Sequence, residues 1–290
     1  MQSTRTFGVE LELHLNGKTR GELAVAMRRK GLKVFCEDYN HNTRDHWKVT
    51  TDASLDPHGR LGTSAEIVSP VLQGDDGLAQ ARKAAEAAKS IGATVSTRCG
   101  LHVHVFAGDL SVDQLRNLAI NFVHCETAFD AIVPPSRRRD CNRYILSNRT
   151  AFGGSYDNEA INRAIDAYKA ATTRETLITA VADAGRPHNE YGNRYRKLNF
   201  RPLESYNTVE FRQHSGTVEA EKVSNWIELV TAFVDRCAKS QPRKRPSTKP
   251  HVPATECAMM LRFLKVRPEV KAYYRARMKT LSAATMTAAE

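Results

Sequence analysis

Apolar and ionisable side chains alternate through the residues from Thr6 to His14, which read TFGVELELH. In an extended chain Phe7, Val9, Leu11 and Leu13 share one side, and Gly8, Glu10, Glu12 and His14 share the other. The same two-residue period recurs at Leu101–Phe106 (LHVHVF), with His102 and His104 on one face. It recurs again at Thr208–Gln213 (TVEFRQ), where Val209 and Phe211 oppose Glu210 and Arg212. Ser64–Ser69 (SAEIVS, stopped by Pro70), His46–Thr51 and Leu198–Phe200 complete the predicted strands. Between them a helical period predicts Gly21–Lys30 before Gly31, and Asp76–Ile91 before Gly92, a residue suited to the left-handed turn past a helix end. Ser111–Ile132 opens on a Ser-x-x-Gln capping pattern and ends ahead of Pro134-Pro135. Asn158–Ala171, Thr173–Ala184 (closed by Gly185) and Ala220–Ala238 follow.

A proline-rich turn segment, Gln241–Pro253, separates these elements from two further helices, Thr255–Leu264 and Pro268–Leu281. Strands and helices do not alternate one for one, which argues against a doubly wound parallel sheet. The order predicts an α+β fold, an antiparallel sheet backed by helices. It also predicts a catalytic body over residues 1–240, with a basic linker and helical tail over 241–290.

Composition narrows the class. At 290 residues, 41% hydrophobic and 26% charged, the chain fits one large or two small globular domains. No stretch approaches the roughly 20 apolar residues of a membrane span, and the N-terminal residues lack the pattern of a signal peptide. Six cysteines without a CxxC pair read as free thiols in a reducing cytoplasm. The net charge of +11 is localised: Arg236 to Lys279 holds 13 Lys/Arg against 2 Asp/Glu, so the body is neutral. A segment of that kind suits a polyanionic partner such as nucleic acid, although a solvated, solubilising helix pair explains it equally well.

The ionisable strand faces carry the chemistry. Glu10 and Glu12, Glu66, His102 and His104, and Glu210 and Arg212 are carboxylates and imidazoles where an ordinary solvated face would be rich in Lys, Ser and Thr. Each has a plain reading by itself, as a solvated strand edge or a hydrogen-bonded histidine pair. Together, carboxylates converging on one face would repel one another, and hard divalent cations such as Mg²⁺ or Mn²⁺ resolve that conflict. Mg²⁺ bridges carboxylates to substrate phosphates in phosphoryl-transfer sites. Arg212 and the Arg194/Arg196/Lys197 group would supply positive charge to those phosphates.

The ordered blocks FGVELE (7–12), TDASL (51–55), EIVSP (66–70), CGLHVHV (99–105), RKLNF (196–200) and TVEFRQHSGT (208–217) resemble the amidoligase family, relatives of glutamine synthetase and glutamate–cysteine ligase. The resemblance spans about residues 5 to 240 and implies a glutamine-synthetase-like half-barrel of curved antiparallel strands. It implies an ATP- and Mg²⁺-dependent ligase that joins a carboxylate to an amine through an acyl-phosphate. Glu10, Glu12, Glu66, His102 and Glu210 would be metal ligands. His104 would contact ATP phosphate, Arg212 would clamp phosphate, and Arg196 and Lys197 would serve nucleotide or acyl-phosphate. Asp52 and Ser54 would lie on the substrate side, with Asp52 as general base. SAEIVSP departs from the glutamine synthetase pattern, since it offers one acid, Glu66, where two are expected; the number of metals is therefore open.

The expected partners are small-molecule carboxylate and amine substrates, with nucleic acid reached through residues 236–279. Glutamine synthetases form rings, and nothing in the chain marks a subunit contact. A non-catalytic nucleic-acid-binding protein would explain the basic tail but not the acidic strand faces. A zinc hydrolase built on the HxH pair fits a many-carboxylate face less well than Mg²⁺ does. A phosphotransferase on the same fold is a further alternative.

Overall fold

The structure, a computed structural model, describes residues 3–55, 64–152, 158–183, 194–242 and 252–287. The chain divides into two compact units, Ser3–Val105 with His214–Glu228, and Phe106–Gln213 with Leu229–Glu290.

The first unit holds β1 (Thr6–His14), α1 (Arg20–Arg29), β2 (Val34–Cys36), β3 (Trp47–Thr50), β4 (Ser64–Val68), β5 (Leu72–Gln73), α2 (Gly74–Ser90) and β6 (Gly100–Phe106). β1 runs antiparallel between β4 and β6. β3 lies beyond β4, and β2 joins β3 in parallel at the edge. β5 adds a short antiparallel pairing to the start of β1. The fold is thus α+β, an open and mostly antiparallel sheet backed by helices.

The alternation in β1 decides which face is covered. Phe7, Val9, Leu11 and Leu13 are buried, as are Ala81, Ala84, Ala85 and Ala88 of α2 and Leu23, Ala24 and Met27 of α1. Small side chains on α2 let the helix lie close to the strands. At Gly77 a Cβ would stand 2.9 Å from Leu72 and 3.0 Å from Phe7, so only glycine admits that approach. A capping box between Thr19 and Glu22 starts α1, and Gly31 and Gly92, at φ +82° and +78°, follow the ends of α1 and α2 as anticipated.

The second unit holds α3 (Val112–Asp130), α4 (Asn158–Ala170), α5 (Arg174–Asp183), β7 (Leu198–Asn199), β8 (Thr208–Ser215), α6 (Ala220–Ala238), α7 (Pro253–Leu264) and α8 (Pro268–Thr287). The division between units falls within β8 and within α6. The capping box of Ser111 and Gln114 opens α3 as its sequence predicts. Phe122, Phe129, Phe211 and Phe233 form an aromatic core with centroids 5.2–6.3 Å apart. The tail helices pack into this unit. α7 lies along α3, where Thr127 donates to Glu256, and Arg277 Nε donates to the Ile132 carbonyl at 2.8 Å.

Two strands escaped the sequence reading. β2 has three residues and β5 has two, too few to display a period. Gly185 and most of the proline-rich segment lie outside the described residues. Among the described residues no helix is long and apolar enough to cross a membrane, and the six cysteines form no disulfide.

An ionic group is enclosed in the second unit. The Lys197 ammonium donates to Glu126 at 2.9 Å and Asp130 at 2.7 Å, and the side chains of Lys197 and Glu126 have no exposed surface. Burial alone would lower the lysine pKa, but the two carboxylates outweigh it and raise it. Breaking a buried pair leaves an uncompensated charge and costs about 3–5 kcal/mol. Lys197→Met, which keeps the apolar stem, is expected to lose that much stability in urea unfolding. A loss under about 1 kcal/mol would show that the carboxylates find other partners.

Candidate functional site

The strand register aligns the ionisable residues of the first unit in rows. Glu10 pairs with Val68 on one side and His102 on the other, and Val68 also pairs with Lys48. Two residues along, Glu66 stands between Glu12 and Thr50. Directly paired residues project to the same face, so Lys48, Glu10 and His102 form one row and Thr50, Glu66 and Glu12 the next.

Glu10 is shared by two imidazoles. Its Oε2 is 3.1 Å from His102 Nδ1, and its Oε1 is 3.4 Å from His104 Nε2. Burial pushes the Glu10 carboxyl up, but the hydrogen bonds and charges of His102 and His104 prevail and hold it well below the usual carboxylate range. Glu12 is oriented by the Gly100 amide, which donates to its Oε2 at 2.5 Å, while its Oε1 lies 3.7 Å from His102 Nε2. Gly100 is required by the ring above it, because a Cβ there would sit 2.5 Å from His102 Nε2.

Asp52 follows β3 and accepts the Ser54 amide at 2.7 Å, which opens a short 3₁₀ turn over Ala53–Leu55. One carboxylate oxygen from each of Glu12, Asp52 and Glu66 lies within 4.8 Å of the others. At such separations two unit charges repel by roughly 4 kcal/mol at an effective dielectric near 20, so the arrangement favours a cation among them. The donors fit a hard divalent ion, which takes carboxylate oxygens and keeps part of its water. The buried Thr50 hydroxyl adds to this fit, since it has no hydrogen-bond partner among the described residues.

Lys48, on the same face, is 3% exposed. Its ammonium donates to the carbonyls of Asn40 and Asn42 and to the Asn40 side chain at 2.9–3.2 Å. It anchors the 37–46 loop, within which His46 meets Glu37 at 2.7 Å and Asp45 at 2.9 Å.

The remaining predicted residues lie in the second unit. Glu210 is buried, accepting from Asn199 Nδ2 at 2.8 Å and Arg212 Nη1 at 2.5 Å. Arg212 lies 5.9 Å from the Tyr195 ring centroid. Arg196 is buried and donates to the carbonyls of Ala182 and Ser147. Like Lys197, described above, it is therefore bonded to groups around β7. Sequence reasoning missed Thr50, Lys48, Gly100 and Asn199. Only Gly100, within a G-x-H-x-H block, carried a sequence signal.

A family model described as "Putative amidoligase enzyme" matches residues 3–234. The chain is also similar to a solved structure described as "Crystal structure of novel glutamine synthase homolog", at 12% identity and a TM-score of 0.47, covering 98% of this chain and 68% of that one. No curated protein matches.

A depressed carboxylate pKa links stability to pH. Glu10 binds its proton less readily folded than unfolded, so its contribution is complete above the unfolded carboxylate value. That contribution is lost as pH falls through the depressed folded value. Glu10→Gln is expected to flatten the acid limb of a melting-temperature profile below about pH 4. A mutant profile parallel to wild type through that range would refute the coupling to His102 and His104.

Proposed function

The chain belongs to the amidoligase family, and on that premise we propose that it is an ATP- and Mg²⁺-dependent ligase joining a carboxylate to an amine through an acyl-phosphate. The observation that carries the reading is the face on which Glu10 joins His102 and His104 and Glu12 gathers with Glu66 and Asp52. Glu10 and His102, and Glu12 and Glu66, would hold Mg²⁺ or Mn²⁺. When bound, such ions neutralise charge on the nucleotide's phosphates.

The chain's own groups do the positioning. His104 is restrained by Glu10 and offers a donor to a phosphate oxygen. Gly100 fixes Glu12 through its amide and fixes His102 by leaving room for its ring. From the E-F-R motif, Glu210 is proposed as a further metal ligand and Arg212 as a phosphate clamp; Asn199 and Arg212 hold the Glu210 carboxylate in place. The substrate carboxylate would attack the γ-phosphate, and the amine would then displace phosphate, giving an amide, ADP and phosphate. No side chain is needed as a nucleophile. Electrostatic stabilisation and orientation supply the rate enhancement.

We propose further that the basic tail receives a substrate attached to nucleic acid. Arg262, Lys265, Arg267, Arg275 and Lys279 are exposed along α7, α8 and the turn between them. Substrate affinity should then fall steeply with salt, because phosphate contacts release counterions. An affinity unchanged between 50 and about 200 mM salt would remove the nucleic-acid part and leave the ligase.

Glu10→Ala and Glu210→Ala are each expected to reduce ATP-to-ADP turnover by at least about 100-fold, with amide and free phosphate as wild-type products. A phosphorylated product without an amide would identify a phosphotransferase. Undiminished turnover in either variant would displace that residue from the site.

A further inference from the structure

The carboxylates Glu12 and Glu66 come from adjacent strands and face one another across the β1–β4 ladder. β4 supplies no second acid to them, since the positions flanking Glu66 are Ser64, Ala65, Ile67 and Val68. The space beside them is filled from β3. The chain leaves that strand at Thr50 and turns at Asp52, whose carboxylate reaches within 4.8 Å of both acids. Thr50 stands opposite Glu66 in the same row and is 2% exposed. Its hydroxyl has no hydrogen-bond partner among the described residues. A buried hydroxyl in that condition points to a partner that protein atoms do not supply.

We propose that Asp52 is the third protein ligand of the divalent ion held by Glu12 and Glu66, and that the Thr50 hydroxyl positions a water in that ion's shell. The proposal rests on the metal reading above but assigns Asp52 differently. A carboxylate bound to the ion would not serve as the general base for the amine. The Ser54 amide fixes the orientation of Asp52 by bonding one of its oxygens, Oδ1. A carboxylate ligand held by an amide in this way is pre-set for metal binding. Thr50 would be a positioning residue, acting through water, as Mg²⁺ and Mn²⁺ sites commonly retain several waters.

The test is Mn²⁺ binding to the full-length protein without nucleotide, followed by electron paramagnetic resonance, with melting temperatures measured with and without Mn²⁺. Asp52→Asn is expected to weaken Mn²⁺ binding at this site by at least about ten-fold, as Glu12→Gln should. Thr50→Val keeps the shape and removes the hydroxyl. It should leave the metal-free melting temperature unchanged or raised, since a buried unpaired hydroxyl is lost, while Mn²⁺ affinity falls a few-fold and Thr50→Ser restores it.

Unchanged Mn²⁺ binding in Asp52→Asn alongside a loss in Glu12→Gln would overturn the role of Asp52 and leave the metal site standing. Unchanged binding in both would overturn the metal reading itself. A lowered metal-free melting temperature in Thr50→Val would show that the hydroxyl already has a protein partner, ending its proposed role.

Discussion

The hydrogen-bond register of β1, held between β4 and β6, is the constraint on which the rest of the first unit depends. A strand has a period of two, so a slip of one residue would turn Phe7, Val9, Leu11 and Leu13 outward and drive Glu10 and Glu12 into the helix-covered core. Burying the apolar set against α2 therefore also decides where the carboxylates point. The same register decides which residues they meet: His102 beside Glu10, Glu66 beside Glu12. Folding energy and site geometry are in this sense one quantity. The hydrophobic face supplies the driving force and the ionisable face inherits its alignment.

That inheritance creates an electrostatic problem which the two rows resolve differently. In the Glu10 row the imidazoles of His102 and His104 stand against the carboxylate and stabilise its charge. In the Glu12 row His102 Nε2 comes within 3.7 Å of Glu12, but the other neighbours are Glu66 and Asp52, further acids. Lys48 lies on the same face, yet its ammonium is committed to the oxygens of Asn40 and Asn42 and ties down a loop. Gly100 links the rows: its amide holds Glu12, and its missing side chain makes room for the His102 ring.

Much of this face was legible because strand periodicity is a local property. Glu10, Glu12, Glu66, His102 and His104 each stand out against an alternating apolar partner set, and the α+β class follows from the element order. What was not legible depended on chain reach and on burial. Asp52 reads as a loop residue on the substrate side because no period says how far the turn after β3 returns toward β1. The enclosure of Lys197 is not legible either, because nothing in the pattern of α3 says that Glu126 and Asp130 are buried where they can surround it. Thr50 is an ordinary strand residue in sequence, and what sets it apart is a buried hydroxyl without a hydrogen-bond partner among the described residues. β2 and β5 are too short to carry a pattern at all.

The contrast between the two acidic groups gives a physical rule for separating structure from chemistry in this chain. Glu126 and Asp130 enclose an ammonium that donates to both, and their desolvation is offset within the protein. Glu12, Glu66 and Asp52 converge, and beside them the buried Thr50 hydroxyl has no hydrogen-bond partner among the described residues. Bringing three acids and an unsatisfied donor together costs stability, and an arrangement selected only for folding would be expected to lose one of them. A Glu12 whose orientation is set by a backbone amide, and an Asp52 set by another, show the opposite: the acids are held in place against their mutual repulsion. Groups held at such a cost are those that a bound cation would release from it, and this is why the row of β3, β4 and β1 is the part of the molecule where chemistry is to be sought.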